Sequence, residues 1–142
     1  QDIFRKWLLP RYEKIIHAGR SINPDMFAFL HTDGKATDML PLIIESGFTV
    51  LNPVQPECMD PALIKKDFGD RLAFWGTVGV QRTMSFGTPD DVRNEVRLRI
   101  ETVGRGGGLV LSPAQTLYAD VPWENVVAFF EAADRYASFH CR

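Results

Sequence analysis

The sequence predicts a parallel α/β fold, because three features recur together along the chain. Short apolar runs of strand length are spaced through the sequence at Met26–Leu30, Phe48–Leu51, Leu72–Trp75 and Leu109–Leu111. Each run ends in a cluster of polar residues, glycine or proline, and a stretch with helical character follows. Repeated strand–loop–helix units are the plan of parallel α/β proteins, whose sites lie at the carboxyl ends of the strands. The pattern therefore predicts about four parallel strands alternating with helices, and a small-molecule site.

Length and charge narrow the class of protein further. The 142 residues could bury about two thirds of the unfolded surface, which is enough for a single core. A formal net charge of −2 leaves no basic surface for nucleic acid, and no apolar stretch approaches the roughly 20 residues of a membrane span. Cys58 and Cys141 are too few for a disulfide scaffold and no signal peptide opens the chain, so a cytoplasmic location is expected.

The first element is a helix predicted over residues 1–20. Its apolar residues lie close to one helical face: Ile3, Trp7, Leu8, Tyr12, Ile15 and Ile16. Pro10 is expected to kink or split this helix, and Gly19 suits its end. The helix would feed directly into the first strand, which suggests a piece of something longer. The alternative is a small or processed natural protein.

The next helices begin and end at recognisable signals. The helix after the first strand has an apolar face before Gly47, made by Met39, Leu40, Ile43 and Ile44. Asp60-Pro61 indicates the start of the following helix, which would end near Gly69. These two helices would dock on the sheet.

The last two helices carry equally clear patterns. Thr88-Pro89-Asp90-Asp91 supplies a cap residue, a proline and two acids at the positive end of the helix dipole. The buried positions of that helix are predicted to be Val92, Val96, Ile100 and Val103. The last helix is predicted from about Pro122 to Phe139. Its predicted buried positions are Val126, Val127, Phe130 and Ala133.

Four parallel units make half of an eight-stranded (β/α)8, or TIM, barrel, which runs to about 250 residues. Residues 1–142 are therefore expected to form a single partial domain. Half a barrel leaves sheet edges unpaired and one face of its core uncovered, so either a missing half exists or two copies associate. A small open α/β sheet is the alternative, but such sheets usually carry an early phosphate-binding glycine loop. Gly104–Gly108 precedes a strand and lacks the following Lys-Ser/Thr, which indicates a turn.

Several stretches of the sequence resemble the uroporphyrinogen decarboxylase family, which also contains cobalamin-dependent methyltransferases. These stretches are FLHTDG, VLNPVQPECMDPALIKKDFGDRLAFWGTVGVQ, FGTPDDVRNEV and GGGLVLSPAQTLYADVPWENV. The resemblance runs from about Trp7 to Tyr136 and implies the C-terminal half of a TIM barrel. It is greatest to the family's broad decarboxylase-like branch, in which an H-x-D-G or H-x-C-G segment follows a barrel strand.

The sequence also departs from the family's patterns. The resemblance places Gln115 where porphyrinogen decarboxylases carry the histidine of a Gly-His-Gly segment, and their catalytic aspartate and arginines belong to the N-terminal half. Zinc-dependent methyltransferases of the family use a histidine, a cysteine two residues later and a second cysteine after the last strand. His31 fits the first position, whereas Asp33 and Gln115 stand at the two cysteine positions. Zinc thiolate chemistry is therefore not expected.

His31 and Asp33 form the predicted catalytic pair. Side chains at i and i+2 share one face of an extended strand end, so both could point into the barrel mouth. An imidazole can ligate a divalent metal or act as a general base, and a carboxylate can orient it or supply an oxygen ligand. Glu57 or a residue of the absent half would then be a third donor. The structural alternative is that His31 hydrogen-bonds a neighbouring loop and Asp33 caps the helix starting near Ala36.

Other polar and aromatic residues after the strands are predicted to bind substrate. They are Asn52, Gln55, Glu57, Trp75, Gln81 and Gln115. Asn52-Pro53 and Gln55-Pro56 are also ordinary turn makers, and an inward tryptophan is often only a core residue. Cys58 is expected to be a buried thiol, and the terminal His140 and Cys141 are given no role.

The expected function is that of a small-molecule enzyme on the methyltransferase-like side of the family. The concrete hypothesis is transfer of a methyl group from a methylated substrate to a corrinoid or thiol acceptor, with the corrinoid on a partner protein. The first alternative is uroporphyrinogen decarboxylation in porphyrin biosynthesis. The second is a non-catalytic ligand-binding or assembly subunit. The sequence assures no cofactor, although a divalent metal at His31 and Asp33 fits the donor types.

Overall fold

A computed structural model of the chain describes residues 1–137. Four short strands form one parallel sheet in which neighbours along the chain are neighbours in space. The strands are Phe29–His31 (β1), Val50–Asn52 (β2), Ala73–Trp75 (β3) and Leu109–Val110 (β4). A helix separates each strand from the next, so the predicted alternation of parallel strands and helices is confirmed. Each strand overlaps its predicted apolar run, although β1 begins three residues later than expected.

Five α-helices accompany the sheet in the described residues. They are Leu9–Ile22 (α1), Leu40–Glu45 (α2), Pro61–Phe68 (α3), Pro89–Thr102 (α4) and Trp123–Ala137 (α5). Shorter helical turns cover Phe4–Leu8, Thr37–Met39 and Val80–Met84. Within the described range, no helix is both long enough and apolar enough to cross a membrane.

The helix at the start of the chain is divided near Pro10, as predicted, but ends later than expected. A π-helix covers Phe4–Leu8, in which the Leu9 N–H donates to the Phe4 carbonyl oxygen, and α1 begins at Leu9 with Pro10 in its first turn. Gly19 lies inside α1, which continues to Ile22. The helix ends there because Pro24 disfavours helical backbone at Asn23.

The buried residues of the first helix differ in part from the predicted ones. Leu9 and Ile16 are buried and Tyr12 packs on the core, whereas Ile3 and Ile15 point to solvent.

Two helix starts follow their sequence signals closely. The Asp60 carboxylate accepts hydrogen bonds from the backbone N–H groups of Ala62 and Leu63 at the start of α3. Thr88 and Asp91 form a reciprocal capping box at the start of α4. The Gly104–Gly108 segment is the predicted turn, with the left-handed backbone at Gly106 that glycine adopts freely.

The buried face of α5 is rotated from the predicted one. Ala128, Phe129 and Ala132 are buried, together with Asn125, whereas Phe130 is 65% exposed. The polar Asn125 is inside because its Nδ2 donates to the carbonyl oxygens of Met84 and Gly87, at 3.0 and 2.8 Å. Hydropathy alone cannot predict a buried amide that is held by backbone acceptors. The part of this helix predicted beyond residue 137 lies outside the described residues.

The two faces of the sheet have different surroundings. On one face, Leu51 and Phe74 are fully buried against residues of α1, α2 and α3. On the other, Phe29, Trp75 and Val110 are 45%, 42% and 45% exposed, and we call these three residues the open face. In a closed barrel the open face would lie inside, so its exposure matches the prediction of a half-barrel.

Candidate functional site

The ends of β1 and β2 bring a histidine and an asparagine together. His31 and Asn52 are the last residues of their strands and are partners in the parallel register. The Nδ1 atom of His31 lies 2.6 Å from Oδ1 of Asn52. The Nδ2 atom of Asn52 donates to the backbone carbonyl oxygen of Trp75, at 3.1 Å. Asn52 therefore links the first three strands at their carboxyl ends.

Asp33 lies on the other side of the His31 ring. Its Oδ2 atom is 3.6 Å from Nε2 of His31, which is longer than an ordinary hydrogen bond. Its Oδ1 atom accepts a hydrogen bond from Nε2 of Gln115, in the loop after β4. Asn52, His31, Asp33 and Gln115 thus form a continuous polar row, which we call the mouth row, across the carboxyl ends of the strands.

The structure excludes the capping role that was considered for Asp33. The helical turn over Thr37–Met39 has no side-chain cap, so Asp33 does not cap it. Instead, the structure brings together His31, Asp33 and Gln115, the three residues that the resemblance described above matches to the family's metal-ligand positions. A catalytic role for His31 and Asp33 stays a prediction.

An open cavity lies beside the mouth row. Its volume is about 480 Å³, within the usual range for small-molecule sites, and Asp33, Gln81 and Gln115 line it. Tyr118 and Asp120, from the loop after β4, also line it. We did not predict these two residues, and their position just after the Gln115 loop is the signal that could have identified them.

Glu57 lies elsewhere. Its Oε1 atom accepts a hydrogen bond from the backbone N–H of Gln81, at 3.1 Å, and its side chain lines a different cavity. In the part of the chain that the structure describes, no three His, Cys, Asp or Glu residues are grouped as metal ligands. The prediction of Glu57 as a third donor beside His31 and Asp33 is therefore wrong, because its carboxylate is hydrogen-bonded to the segment after β3 instead.

Gln55 and Trp75 take two different positions. Gln55 is only 4% exposed, and its Nε2 atom has no hydrogen-bond partner among residues 1–137. Trp75 lies on the open face and contacts the Phe29 ring edge-to-face, with ring centroids 5.3 Å apart. Cys58 is a free thiol and is partly, not fully, buried. Substrate binding by these residues stays a prediction, and His140 and Cys141 lie outside the described residues.

A charged pair on α4 that the sequence analysis did not predict, Glu95 and Arg99, contacts the segment that follows β3. The Arg99 guanidinium donates to Glu95 Oε1 at 2.7 Å and to the Thr77 carbonyl oxygen at 2.9 Å. Glu95 Oε1 also accepts from the backbone N–H of Gly79. The i, i+4 spacing of glutamate and arginine on α4 is the signal that could have revealed the pair. It fixes the segment between β3 and Gln81.

Comparison with known proteins gives matches of several kinds. The family model described as uroporphyrinogen decarboxylase (URO-D) matches residues 1–136. The methylcobamide:CoM methyltransferase MtaA of Methanosarcina barkeri is 30% identical over 135 residues, covering 95% of this chain and 37% of that protein. A uroporphyrinogen decarboxylase of Psychromonas ingrahamii is 32% identical over 74 residues, covering 52% of this chain and 20% of that protein.

One solved structure shows a similar fold. A methyltransferase from Methanosarcina mazei superposes with a TM-score of 0.73 at 24% identity, covering 96% of this chain and 37% of that structure. The match shows that the sheet and its helices have the fold of part of a TIM-type barrel. The chain spans 37% of the length of both methyltransferases that it matches.

Proposed function

Because the chain belongs to the uroporphyrinogen decarboxylase family, we propose that the whole protein transfers a methyl group from a methylated substrate to a corrinoid or thiol acceptor. The mouth row carries the proposal: it places Nε2 of His31 opposite Oδ2 of Asp33, at 3.6 Å, beside a cavity of about 480 Å³. The Methanosarcina barkeri relative is named as a methyltransferase and aligns with 95% of the chain, which supports the same chemistry.

His31 would act as the base when the acceptor is a thiol. Its Nε2 accepts the S–H proton, and the carboxylate of Asp33 stabilises the imidazolium that forms. The thiolate sulfur then forms a bond to the methyl carbon. The bond from that carbon to its donor breaks, and the donor keeps the electron pair. Gln115 keeps Asp33 in place through its hydrogen bond to Oδ1.

A divalent metal at His31 and Asp33 is compatible with this geometry. His31 would supply a nitrogen donor and Asp33 an oxygen donor, whose Nε2 and Oδ2 atoms lie 3.6 Å apart. In that case Nε2 of His31 would hold the ion and would not act as the base. When bound, such an ion would favour the thiolate form of an acceptor thiol.

The partners of the whole protein follow from the same proposal. The printed name of the Methanosarcina barkeri relative includes methylcobamide, so we propose a corrinoid carried by a partner protein. The other half of the barrel, or a second copy of the chain, would cover the open face. Cys58 is a free thiol, and we propose a cytoplasmic location on that ground.

Uroporphyrinogen decarboxylation is the second candidate. The Psychromonas ingrahamii relative, 32% identical over 74 residues, supports it. Gln115 counts against it, because an amide cannot exchange protons near neutral pH as the histidine at that position in the decarboxylases can.

The test compares both reactions in the whole protein. We expect methyl transfer to a small thiol, with a methylated corrinoid supplied as the methylated substrate, and slow or absent turnover of uroporphyrinogen. His31→Ala should abolish methyl transfer, whereas His17→Ala, which changes an exposed histidine on α1, should leave it unchanged. Robust uroporphyrinogen turnover would sink the methyltransferase assignment. Ligand binding without either reaction would favour a non-catalytic subunit.

A further inference from the structure

We propose that Asn52 is a positioning residue that holds His31 in the tautomer with its proton on Nδ1. The inference rests on the proposed function, in which Nε2 of His31 is the reacting nitrogen. The hydrogen bonds that carry it do not depend on which reaction the protein performs.

The orientation of the Asn52 amide is fixed by Trp75. A backbone carbonyl oxygen only accepts hydrogen bonds, so the amide nitrogen of Asn52 must face it, as it does at 3.1 Å. The amide oxygen of Asn52 is then the atom that faces His31. Both polar ends of this side chain are occupied by protein groups, which favours positioning over substrate binding.

The amide oxygen in turn selects the tautomer of His31. Oδ1 of Asn52 accepts hydrogen bonds only, and it lies 2.6 Å from Nδ1. Nδ1 must therefore carry a proton, and in the neutral ring the lone pair is on Nε2. A tautomer set by a hydrogen bond at the other ring nitrogen is a common device for orienting a catalytic or metal-binding histidine.

This tautomer leaves two acceptors facing each other. Nε2 of His31 and Oδ2 of Asp33 both carry lone pairs and lie 3.6 Å apart, while Gln115 already donates to the other oxygen of Asp33. The gap between them favours a proton donor or a cation, such as the S–H group of a thiol. Without Asn52 the ring could place its proton on Nε2, donate to Asp33 and close the gap.

The experiment is nitrogen-15 NMR of histidine-labelled whole protein, at a pH where His31 is neutral. Long-range correlations from the ring protons distinguish a protonated from an unprotonated ring nitrogen, and His31→Gln assigns the signal. We expect a protonated Nδ1 in the native protein. Asn52→Ala should shift His31 toward the Nε2–H form, whereas Asn52→Asp, which keeps an acceptor oxygen, should retain Nδ1–H. The exposed His17 serves as an internal reference.

Activity gives the second measurement. Loss of such a supporting hydrogen bond typically lowers activity about 10- to 100-fold, and here the loss should be in kcat more than in KM. A native His31 protonated on Nε2 overturns the inference by itself, even if Asn52→Ala fails to fold. So does an Asn52→Ala protein that keeps the Nδ1–H form. If the tautomer is as expected but His31→Ala still transfers methyl groups, the proposed role of His31 as the base fails; if the whole protein turns over uroporphyrinogen instead, the proposed function fails. In both cases the assignment of the tautomer to Asn52 stands.

Discussion

The open face predicts how residues 1–142 behave when produced alone. Full burial of a large apolar side chain stabilises a protein by about 1.5–3 kcal/mol. Phe29, Trp75 and Val110 are each a little under half exposed, so covering them is worth about 2–4 kcal/mol in total. That is a large share of the roughly 5–15 kcal/mol of a typical domain. We therefore expect the isolated chain to associate, with the other half of the barrel if supplied and otherwise with itself.

Sedimentation velocity from low to high micromolar concentration measures this association. Phe29→Ser should weaken it, because it removes the ring that contacts Trp75 on the open face. Phe86→Ser is the matched control, since Phe86 is 80% exposed but lies in the helical segment that continues the Val80–Met84 turn, away from the open face. A cooperatively melting monomer at all concentrations would refute the reasoning.

Three further predictions concern metal binding, a buried amide and a helix cap. Isothermal titration of the whole protein with a divalent metal should show moderate affinity that His31→Ala removes; no uptake by the native protein would contradict the metal hypothesis. Asn125→Ala leaves two carbonyl oxygens without their donor and should lower the free energy of unfolding by about 2–3 kcal/mol in urea denaturation. Asn94→Ala, at an exposed position, should change it by less than about 0.5 kcal/mol, and equal effects of the two would be inconsistent with this account. Hydrogen bonds from the Thr88 hydroxyl and backbone N–H hold the pKa of Asp91 below its ordinary value of 3.8, so the cap stabilises the fold above that value and is lost as the pH falls through the lowered pKa. Thr88→Val should raise the pKa of Asp91 in an NMR titration, and an unchanged titration would show that the hydroxyl has no effect.

Local signals predicted the framework of the fold well. The caps at Asp60 and Thr88, and the spacing of Val92, Val96 and Ile100 on α4, depend on hydrogen bonds and periodicities within a few residues. Each of these could be derived from the sequence alone and each is confirmed.

The failures arise where a distant group determines the outcome. Asn125 is buried because of carbonyl oxygens about 40 residues away, which rotates the buried face of α5. Glu57 was expected as a third donor beside His31 and Asp33 because it follows a strand, but a backbone N–H in the next loop holds its carboxylate. The resemblance to the family grouped His31, Asp33 and Gln115, but the hydrogen bond between Gln115 and Asp33 follows only from the folded sheet.

The hydrogen bond between Gln115 and Asp33 also has a consequence for the order of folding. It joins loops that follow the first and last strands of the sheet, 82 residues apart in the chain. Closing so long a loop costs chain entropy that one exposed hydrogen bond cannot offset, so the strands between must pair first. The contact is therefore expected to form late, after β4 has joined the sheet. During synthesis on the ribosome, the hydrophobic core would then form before the mouth row is complete.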